Sequence, residues 1–219
     1  YAKIYRIKQA IEQPTAKSGQ SFEALKSPML WALAAVALCV MVAEGAIADW
    51  STLYLRDVAS TPVDLVGLGY AGFSLTMALG RFMGDFISKK IGAWQLILWG
   101  YAISVVGLAL VLTAVSLVSL SGFLLIGLGF SAIVPEVYRL SSNIEGVNPS
   151  AGIAFMAGAG FFGFLAGPVA LGAIAEHWGL SFSFYMLLGL VFAGALVAAF
   201  VRNKSRKSKP EKAVCMEVV

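Results

Sequence analysis

The feature that most constrains this sequence is a series of long apolar runs, separated by short polar stretches, that fills most of the chain. A helix that crosses the hydrocarbon core of a bilayer needs about 20 consecutive, mostly apolar residues. The runs reach that length, and we therefore predict an all-α membrane protein with six transmembrane helices. Their predicted bounds are 28–55, 63–87, 93–114, 117–138, 150–175 and 180–201.

The composition excludes the other broad classes of protein. Hydrophobic residues make up 59% of the chain and charged residues 13%, and the mean hydropathy is +0.82. A soluble domain has about 45–50% apolar and about 25% charged residues, so a water-soluble enzyme is excluded. Disorder requires low hydrophobicity, and the 23 glycines follow no three-residue period that would indicate collagen.

The basic residues are distributed unevenly between the predicted loops. With the N-terminus in the cytoplasm, the cytoplasmic segments hold fourteen Lys and Arg residues, whereas Arg56 stands alone on the opposite side. This bias predicts that both termini are cytoplasmic, and it explains the net charge of +4 better than binding of nucleic acid does. We expect a cytoplasmic linker at 1–27, a six-helix transmembrane region at 28–201 and a basic cytoplasmic tail at 202–219. Because no signal peptide is visible and the first residue is not Met, we expect the chain to be part of a longer protein.

The six predicted helices divide into two units of three, at 28–114 and 117–201. Because three is an odd number, the second unit enters the membrane from the side opposite to the first. This topology is the inverted repeat that occurs within each half of many transporters.

Glu44 is the most informative charge, because it lies inside the first predicted span. A charge at the bilayer centre costs about 2.5–3.5 kcal/mol or more, and an intramembrane acid is therefore a functional candidate by default. We interpret Glu44 as facing a water-filled cavity, where it binds substrate, takes up a coupling proton, or both. A purely structural hydrogen bond to a neighbouring helix stays open. Further candidates for this site, each with interfacial anchoring or packing as its alternative, are Asp49, Tyr70, Phe73 and Phe161.

A second group of residues, near the cytoplasmic face, combines charges with helix-packing glycines. Arg81 and Asp85 are four residues apart, as are Asp85 and Lys89, so each pair shares one helix face. Paired charges here would act as a gate that breaks when the cytoplasmic side opens, although static, solvated helix ends fit equally well. The candidate gating residues are Gly80, Arg81, Gly84, Asp85, Lys89, Lys90, Glu136 and Arg139.

No residue pattern indicates catalysis or a metal centre. Cys39 lies in an apolar span and Cys215 in the charged tail, so they predict neither a disulfide nor a metal site. His177 is the only histidine, and no nucleophile and base accompany it in a motif. We therefore expect no enzyme activity, no cofactor and no metal, and a membrane-embedded enzyme is a weak alternative.

The stretch at the end of the second predicted span and in the loop after it is Gly80-Arg81-Phe82-Met83-Gly84-Asp85-Phe86-Ile87-Ser88-Lys89-Lys90-Ile91-Gly92. It resembles the loop motif of the major facilitator superfamily, commonly Gly-x-x-x-Asp-Arg-x-Gly-Arg-Arg. The departure is that Ser88 stands where the family often has Asp. Three further stretches resemble the bacterial fucose permease-like branch: Ala43-Glu44-Gly45-Ala46-Ile47-Ala48-Asp49-Trp50-Ser51, Gly69-Tyr70-Ala71-Gly72-Phe73-Ser74 and Gly163-Phe164-Leu165-Ala166-Gly167-Pro168.

The resemblance implies the C-terminal six-helix half of a twelve-helix secondary transporter that works by alternating access. The partner would be an N-terminal six-helix half, with the substrate site between the halves and near the midplane. The first, second, fourth and fifth spans would line or gate the cavity. The resemblance favours a proton-coupled symporter or permease in a bacterial inner membrane, with a sugar-like solute ahead of drug-like or amphipathic ones. A non-transporting receptor or scaffold derived from a transporter is the alternative.

Overall fold

The computed structural model describes residues 27–216, with side chains as far as residue 206, and that range is helical apart from short turns. The predicted linker at 1–27 therefore lies outside the described residues except for Ser27, as do the last three residues of the predicted tail. The helices are α1 Pro28–Asp57, α2 Gly67–Ile91, α3 Ala93–Val111, α4 Ser116–Phe130, α5 Ile133–Ser141, α6 Pro149–Trp178 and α7 Leu180–Met216.

Five helical stretches within the described residues are long and apolar enough to cross a membrane, with α4 and α5 counted together as Ser116–Ser141. The helix outside this set is α2, which has 25 residues. At about 1.5 Å per residue, its length of about 38 Å exceeds the about 30 Å of the hydrocarbon core. Four charged residues lower its hydropathy: Arg81, Asp85, Lys89 and Lys90. The six predicted helices are therefore all present, and α2 is the most polar of them.

The helix ends follow from local sequence. The Ser27 side chain accepts a hydrogen bond at the start of α1, and Asn148 does the same for α6, with a proline directly after each cap. Polar caps and an early proline both favour helix initiation. At the other end, α2 and α6 stop at Gly92 and Gly179, whose φ values of 86° and 85° are accessible mainly to glycine.

Most observed helix ends lie within four residues of the predicted bounds, as for Gly67–Ile91 against the predicted 63–87. Two elements differ by more than such a shift. The fourth span is interrupted at Ser131 and Ala132, because Pro135 lacks the N–H group that would bond to the Ser131 carbonyl and its ring crowds that carbonyl. The last helix does not end at Val201 but continues to Met216. Lys, Arg, Glu and Ala favour helix, so the tail extends α7 although it is too polar for the bilayer core.

The packing of the helices is symmetric between the two three-helix units. The first helix of each unit packs on the second helix of the other, as α1 does on α6 and α4 on α2. Each first helix also packs on the third helix of the other unit, as α1 does on α7 and α4 on α3, and the third helices α3 and α7 pack on each other. Exchanging the units leaves this pattern unchanged, which is the arrangement that the predicted inverted repeat requires.

Glycines bring the backbones of the paired helices into direct contact. A Cβ atom added at Gly45 would collide with the Phe164 carbonyl oxygen, and one at Gly167 would collide with the Val42 carbonyl oxygen. The equivalent pair, α2 and α4, makes the same kind of contact, in which Gly127 lies against the Phe73 carbonyl. Close backbone approach supplies the van der Waals contact that drives helix association in lipid.

Tyrosine hydroxyls join the helices across the buried core. The Tyr101 hydroxyl on α3 donates to the Val36 carbonyl on α1 at 2.7 Å, and the Tyr54 hydroxyl on α1 donates to the Val111 carbonyl on α3 at 3.1 Å. Both rings are fully or almost fully buried. The Val111 carbonyl also accepts from the Ser119 hydroxyl at 3.0 Å.

Replacing Tyr101 by Phe is expected to lower the free energy of unfolding by about 1 kcal/mol, the net value of a buried hydrogen bond. Tyr54→Phe is the matched comparison, and we expect a smaller loss because Ser119 still satisfies the Val111 carbonyl. Unfolding of both variants in mixed detergent micelles measures the difference. A larger loss in Tyr54→Phe than in Tyr101→Phe would contradict these hydrogen-bond assignments.

Candidate functional site

An acid and a base from two different helices meet at mid-depth in the bundle. Glu44 lies near the middle of the 30-residue helix α1, and Arg81 lies near the middle of the 25-residue helix α2. The distance from Arg81 Nη2 to Glu44 Oε1 is 3.7 Å. Because an isolated charge at this depth is costly, each residue lowers the cost of burying the other.

The pair lines a cavity of about 230 Å³, which we call the Glu44 cavity. One wall is a single face of α2, built by residues at helical spacing, and the facing wall is α1. The α6 residue Phe164 closes part of the cavity. The lining residues are Glu44, Ala48, Tyr70, Phe73, Ser74, Met77, Ala78, Arg81 and Phe164.

The guanidinium of Arg81 is poorly satisfied by this chain. Its Nη2 atom lies 3.2 Å from the thioether sulfur of Met77, which is a weak acceptor. The distance to Glu44 exceeds the roughly 2.7–2.9 Å of a charge-assisted N–H···O hydrogen bond. Among the described residues, no oxygen atom accepts a hydrogen bond from Arg81, and 51% of its side chain is exposed against 19% for Glu44.

A break in the hydrogen bonding of α6 lies beside the cavity. Pro168, inside α6, has no N–H group to donate to the Phe164 carbonyl, and Gly45 of α1 lies against that carbonyl. The Trp50 Nε1–H group of α1 donates to the Pro168 carbonyl at 3.0 Å. Two contacts of α1, at Gly45 and Trp50, therefore flank the proline of α6.

Three of the five residues predicted for the substrate and proton site share the cavity: Glu44, Tyr70 and Phe73. Asp49 is exposed and does not line the cavity. Phe161 is 63% exposed and is also outside the lining, where α6 contributes Phe164 instead. Because one turn of α6 carries both aromatic residues, the sequence alone does not distinguish which of them faces α1.

Arg81 belongs to the cavity in the structure, whereas its sequence position grouped it with the gating residues. No ion pair joins Asp85 to Arg81 or to Lys89 among the described residues. Asp85, Lys89 and Lys90 are exposed, and Lys90 Nζ lies 4.3 Å from the centroid of the Phe86 ring. In the sequence, the Glu44–Arg81 pair was indicated only by the presence of an acid in the first predicted span and a base in the second.

Ser88, Glu136 and Arg139 form a second polar site, which we call the Arg139 cluster. Arg139 of α5 donates from Nη2 to the Ser88 hydroxyl of α2 at 2.6 Å and from Nε to Glu136 Oε2 at 3.0 Å. Glu136 is only 3% exposed and Ser88 only 4%. Arg139 therefore links α5 to α2 through a hydrogen bond to Ser88. No partner was predicted for Ser88 from the sequence.

The two glycines among the candidate gating residues, Gly80 and Gly84, pack the second span onto the fourth. A Cβ at Gly80 would collide with the side chain of Ser131, and one at Gly84 would lie 3.5 Å from the Cβ of Ala132. Both contacts fall where α4 gives way to α5. In the part of the chain with described side chains, no group of three His, Cys, Asp or Glu residues is arranged to hold a metal ion.

Sequence comparison finds transporter relatives. Residues 62–214 match the profile of the Major Facilitator Superfamily. Membrane protein MosC of Rhizobium meliloti is 36% identical over 173 residues, which cover 78% of this chain and 42% of that protein. An uncharacterized MFS-type transporter of Yersinia pestis is 32% identical over 182 residues, covering 82% of this chain and 47% of that protein. The chain thus spans about half the length of the curated relatives it matches.

Solved structures with the same fold include peptide transporters. The chain superposes on the POT family transporter PepTSo with a TM-score of 0.70 at 19% identity, covering 80% of this chain and 37% of that one. A second peptide transporter of the POT family, solved in complex with sulfate, gives a TM-score of 0.67 at 15% identity, covering 86% of this chain and 44% of that one. At these identities the likeness concerns the fold, and the chain corresponds to less than half of either structure.

Proposed function

Because this chain belongs to the major facilitator superfamily, we propose that it is one six-helix half of a secondary transporter that moves a small solute by alternating access. The other half would be an N-terminal set of six helices, and the solute site would lie between the two halves. The proposed protein is a proton-coupled symporter of a bacterial inner membrane with both termini in the cytoplasm. Its family and its apolar helices support a multi-pass membrane protein.

The observation that carries this proposal is the Glu44–Arg81 pair in the Glu44 cavity. Transporters of this architecture bind solute and coupling ion near the bilayer midplane, and ionisable residues at that depth mark pathways for substrates and protons. Glu44 and Arg81 lie near the middle of two different helices, and the distance from Arg81 Nη2 to Glu44 Oε1 is 3.7 Å. A relative movement of α1 and α2 would therefore change the protonation state that Glu44 favours, whereas Arg81 stays charged.

The Arg139 cluster supports a gate at the proposed cytoplasmic end. Arg139 joins α5 to α2 through the Ser88 hydroxyl at 2.6 Å, so the cytoplasmic ends of these two helices separate only if that hydrogen bond breaks. Glu136 holds the guanidinium in place from within α5. The cluster then stabilises one of the two access states, and its disruption shifts the equilibrium toward the other.

The test uses the full-length protein in proteoliposomes that contain the pH indicator pyranine. Hexoses, polyols and hydroxy acids are added outside, and proton entry and solute uptake are measured together. We expect at least one solute to drive proton entry. In Glu44→Gln, accumulation driven by a pH gradient should be lost, whereas exchange of labelled for unlabelled solute should continue, because exchange needs no net proton movement.

The matched control is Asp49→Asn, which removes a carboxylate from the same helix but outside the cavity. Proton-driven accumulation should persist in this variant. Unchanged coupling in Glu44→Gln, with the protein folded and inserted, would remove Glu44 from the mechanism. Failure of every solute to move would favour the non-transporting receptor or scaffold.

A further inference from the structure

We propose that the solute carries a carboxylate, which binds Arg81 by displacing Glu44, and that Glu44 takes up the coupling proton when it is displaced. This inference rests on the proposed transport function and specifies the solute class for the same cavity. It replaces a neutral sugar by a small organic acid, of which a sugar acid is one example.

The first argument is that the guanidinium of Arg81 lacks strong hydrogen-bond acceptors among the described residues. A guanidinium has five N–H donors in a planar fork that matches the two oxygens of a carboxylate. In the described residues, the closest partner of Arg81 is a thioether sulfur at 3.2 Å, and Glu44 lies 3.7 Å away. The strongest anion-binding group in the cavity therefore has unused donors. A neutral solute can accept hydrogen bonds from these donors, but it brings no negative charge to balance the guanidinium.

The unequal exposure of the two charges is the second argument. The Arg81 side chain is 51% exposed and the Glu44 side chain 19% exposed. The guanidinium is therefore more accessible than the carboxylate to a solute in the Glu44 cavity. An incoming anion therefore meets an accessible cation whose existing partner is held at a distance longer than a hydrogen bond.

The cavity walls indicate the rest of the solute. Tyr70, Phe73 and Phe164 contribute aromatic rings, and Ser74 contributes a hydroxyl. Apolar walls with a few polar groups are typical of small-molecule sites, and the volume of about 230 Å³ lies below the about 300–1,000 Å³ of pockets for drug-sized ligands. The part of the solute that this half encloses is therefore small, with one charged end and a body able to stack on a ring.

The proton step follows from the charge balance. When the solute carboxylate takes the place of Glu44 at Arg81, Glu44 is left as an unpaired anion in a largely apolar setting, which is unfavourable. A proton from water on the entry side converts the Glu44 carboxylate to the neutral acid. One proton and one carboxylate then cross together, and the net charge moved is zero.

No other charge substitutes for Arg81 beside Glu44 among the described residues. On its own helix the nearest acid is the exposed Asp49, and α4 has no titratable side chain. The titratable residues of α6, Glu176 and His177, lie near its end, and those of α5 belong to the Arg139 cluster or, for Tyr138, lie next to it. On α7, Tyr185 lies near the start of the helix and the basic residues begin at Arg202. On α2, the cavity face adds only the phenol of Tyr70.

The experiment measures ligand binding to the purified full-length protein. The probes are benzoate, lactate and gluconate, each compared with its neutral amide: benzamide, lactamide and gluconamide. Glucose is included as a neutral sugar. We expect binding of at least one carboxylate and none of its neutral partner, with affinity that falls as pH rises. Arg81→Lys keeps the charge but loses the fork, and it should bind the carboxylate at least tenfold more weakly.

Glu44→Gln separates this proposal from one in which Glu44 itself holds the solute. The amide mimics the protonated acid and releases Arg81, so carboxylate affinity should be equal or higher and its pH dependence lost. Weaker carboxylate binding in Glu44→Gln would overturn the inference. So would the absence of carboxylate binding, or an Arg81→Gln variant that loses thermal stability yet binds carboxylates normally, because Arg81 would then pair with an acid elsewhere in the full protein.

The failure of this inference is distinguishable from the failure of the proposed function. If glucose but no carboxylate binds, and glucose uptake still depends on Glu44 and on a pH gradient, the transporter proposal stands and the carboxylate is wrong. If carboxylates bind but drive no flux in proteoliposomes, the binding chemistry stands and the transport function is wrong.

Discussion

The Gly167→Ala variant is expected to lose about 2–3 kcal/mol of unfolding free energy, at the upper end of the range for overpacked sites. The added Cβ would overlap the carbonyl oxygen of Val42, with the carbonyl carbon and Cα of Val42 also about 3.1 Å away. These are backbone atoms of α1, so no side-chain rotation relieves the clash. The helices α1 and α6 would have to move apart along their whole seam. Gly45→Ala should behave similarly, because its Cβ would meet the Phe164 carbonyl.

Gly158→Ala is the matched control for this prediction. Gly158 lies in the same helix and is exposed, and a Cβ added there would meet no atom within 4 Å. Both substitutions gain the same helix propensity of about 1 kcal/mol, so their difference isolates the clash. Reversible unfolding in mixed detergent micelles gives the two free energies. Equal stabilities of the two variants would show that α1 and α6 do not approach as closely as described.

Replacing Arg139 by Met is expected to destabilise the protein by about 2 kcal/mol, because it leaves the buried carboxylate of Glu136 unpaired. The carboxylate is only 4% exposed, whereas the Arg139 side chain is 52% exposed, which keeps the loss below that of a fully buried pair. The double variant Glu136→Gln with Arg139→Met should recover part of the stability, because no unpaired charge is left. The double-mutant cycle measures this coupling directly.

The exposed pair Arg56–Asp57, with N–O distance 2.6 Å, supplies the control for the cycle. Arg56→Met should leave stability unchanged within error, because exposed ion pairs contribute little. If Arg139→Met were as harmless as Arg56→Met, the Arg139 cluster would be a solvated helix end, the alternative that the sequence left open. In that event the cluster would also be removed from the proposed gate.

The number, order and approximate bounds of the helices were predictable because hydrophobic runs of membrane length are unambiguous. The break before Pro135 and the extension beyond Val201 were not predicted. Hydropathy measures how well a residue is accommodated in lipid. The helix break before Pro135 and the polar extension of α7 depend instead on backbone hydrogen bonds, which hydropathy does not describe. The inverted repeat was predicted from topology alone, and the exchange-symmetric helix packing confirms it.

The site was only partly predictable. Glu44, Tyr70 and Phe73 were identified because charge and aromatic rings stand out in an apolar span, and they share one cavity. The partner of Glu44 was missed because a four-residue spacing suggested Asp85 as the partner of Arg81. A four-residue spacing predicts contacts within one helix, whereas the observed Glu44–Arg81 pair joins two helices. The fucose permease-like branch, the sugar-like solute and the orientation in the membrane stay predictions.

The glycine seam between α1 and α6 affects how an alignment of relatives should be interpreted. Gly45 is adjacent to Glu44 in the chain. If an alignment of relatives showed both residues to be invariant, both would be interpreted as ligand-binding residues. Contact with the Phe164 carbonyl gives Gly45 a separate, structural reason to be conserved. That reason would apply even in paralogues that transport a different solute. Divergence at position 44 beside an unchanging position 45 is therefore the evolutionary signature we expect of altered specificity on a preserved scaffold.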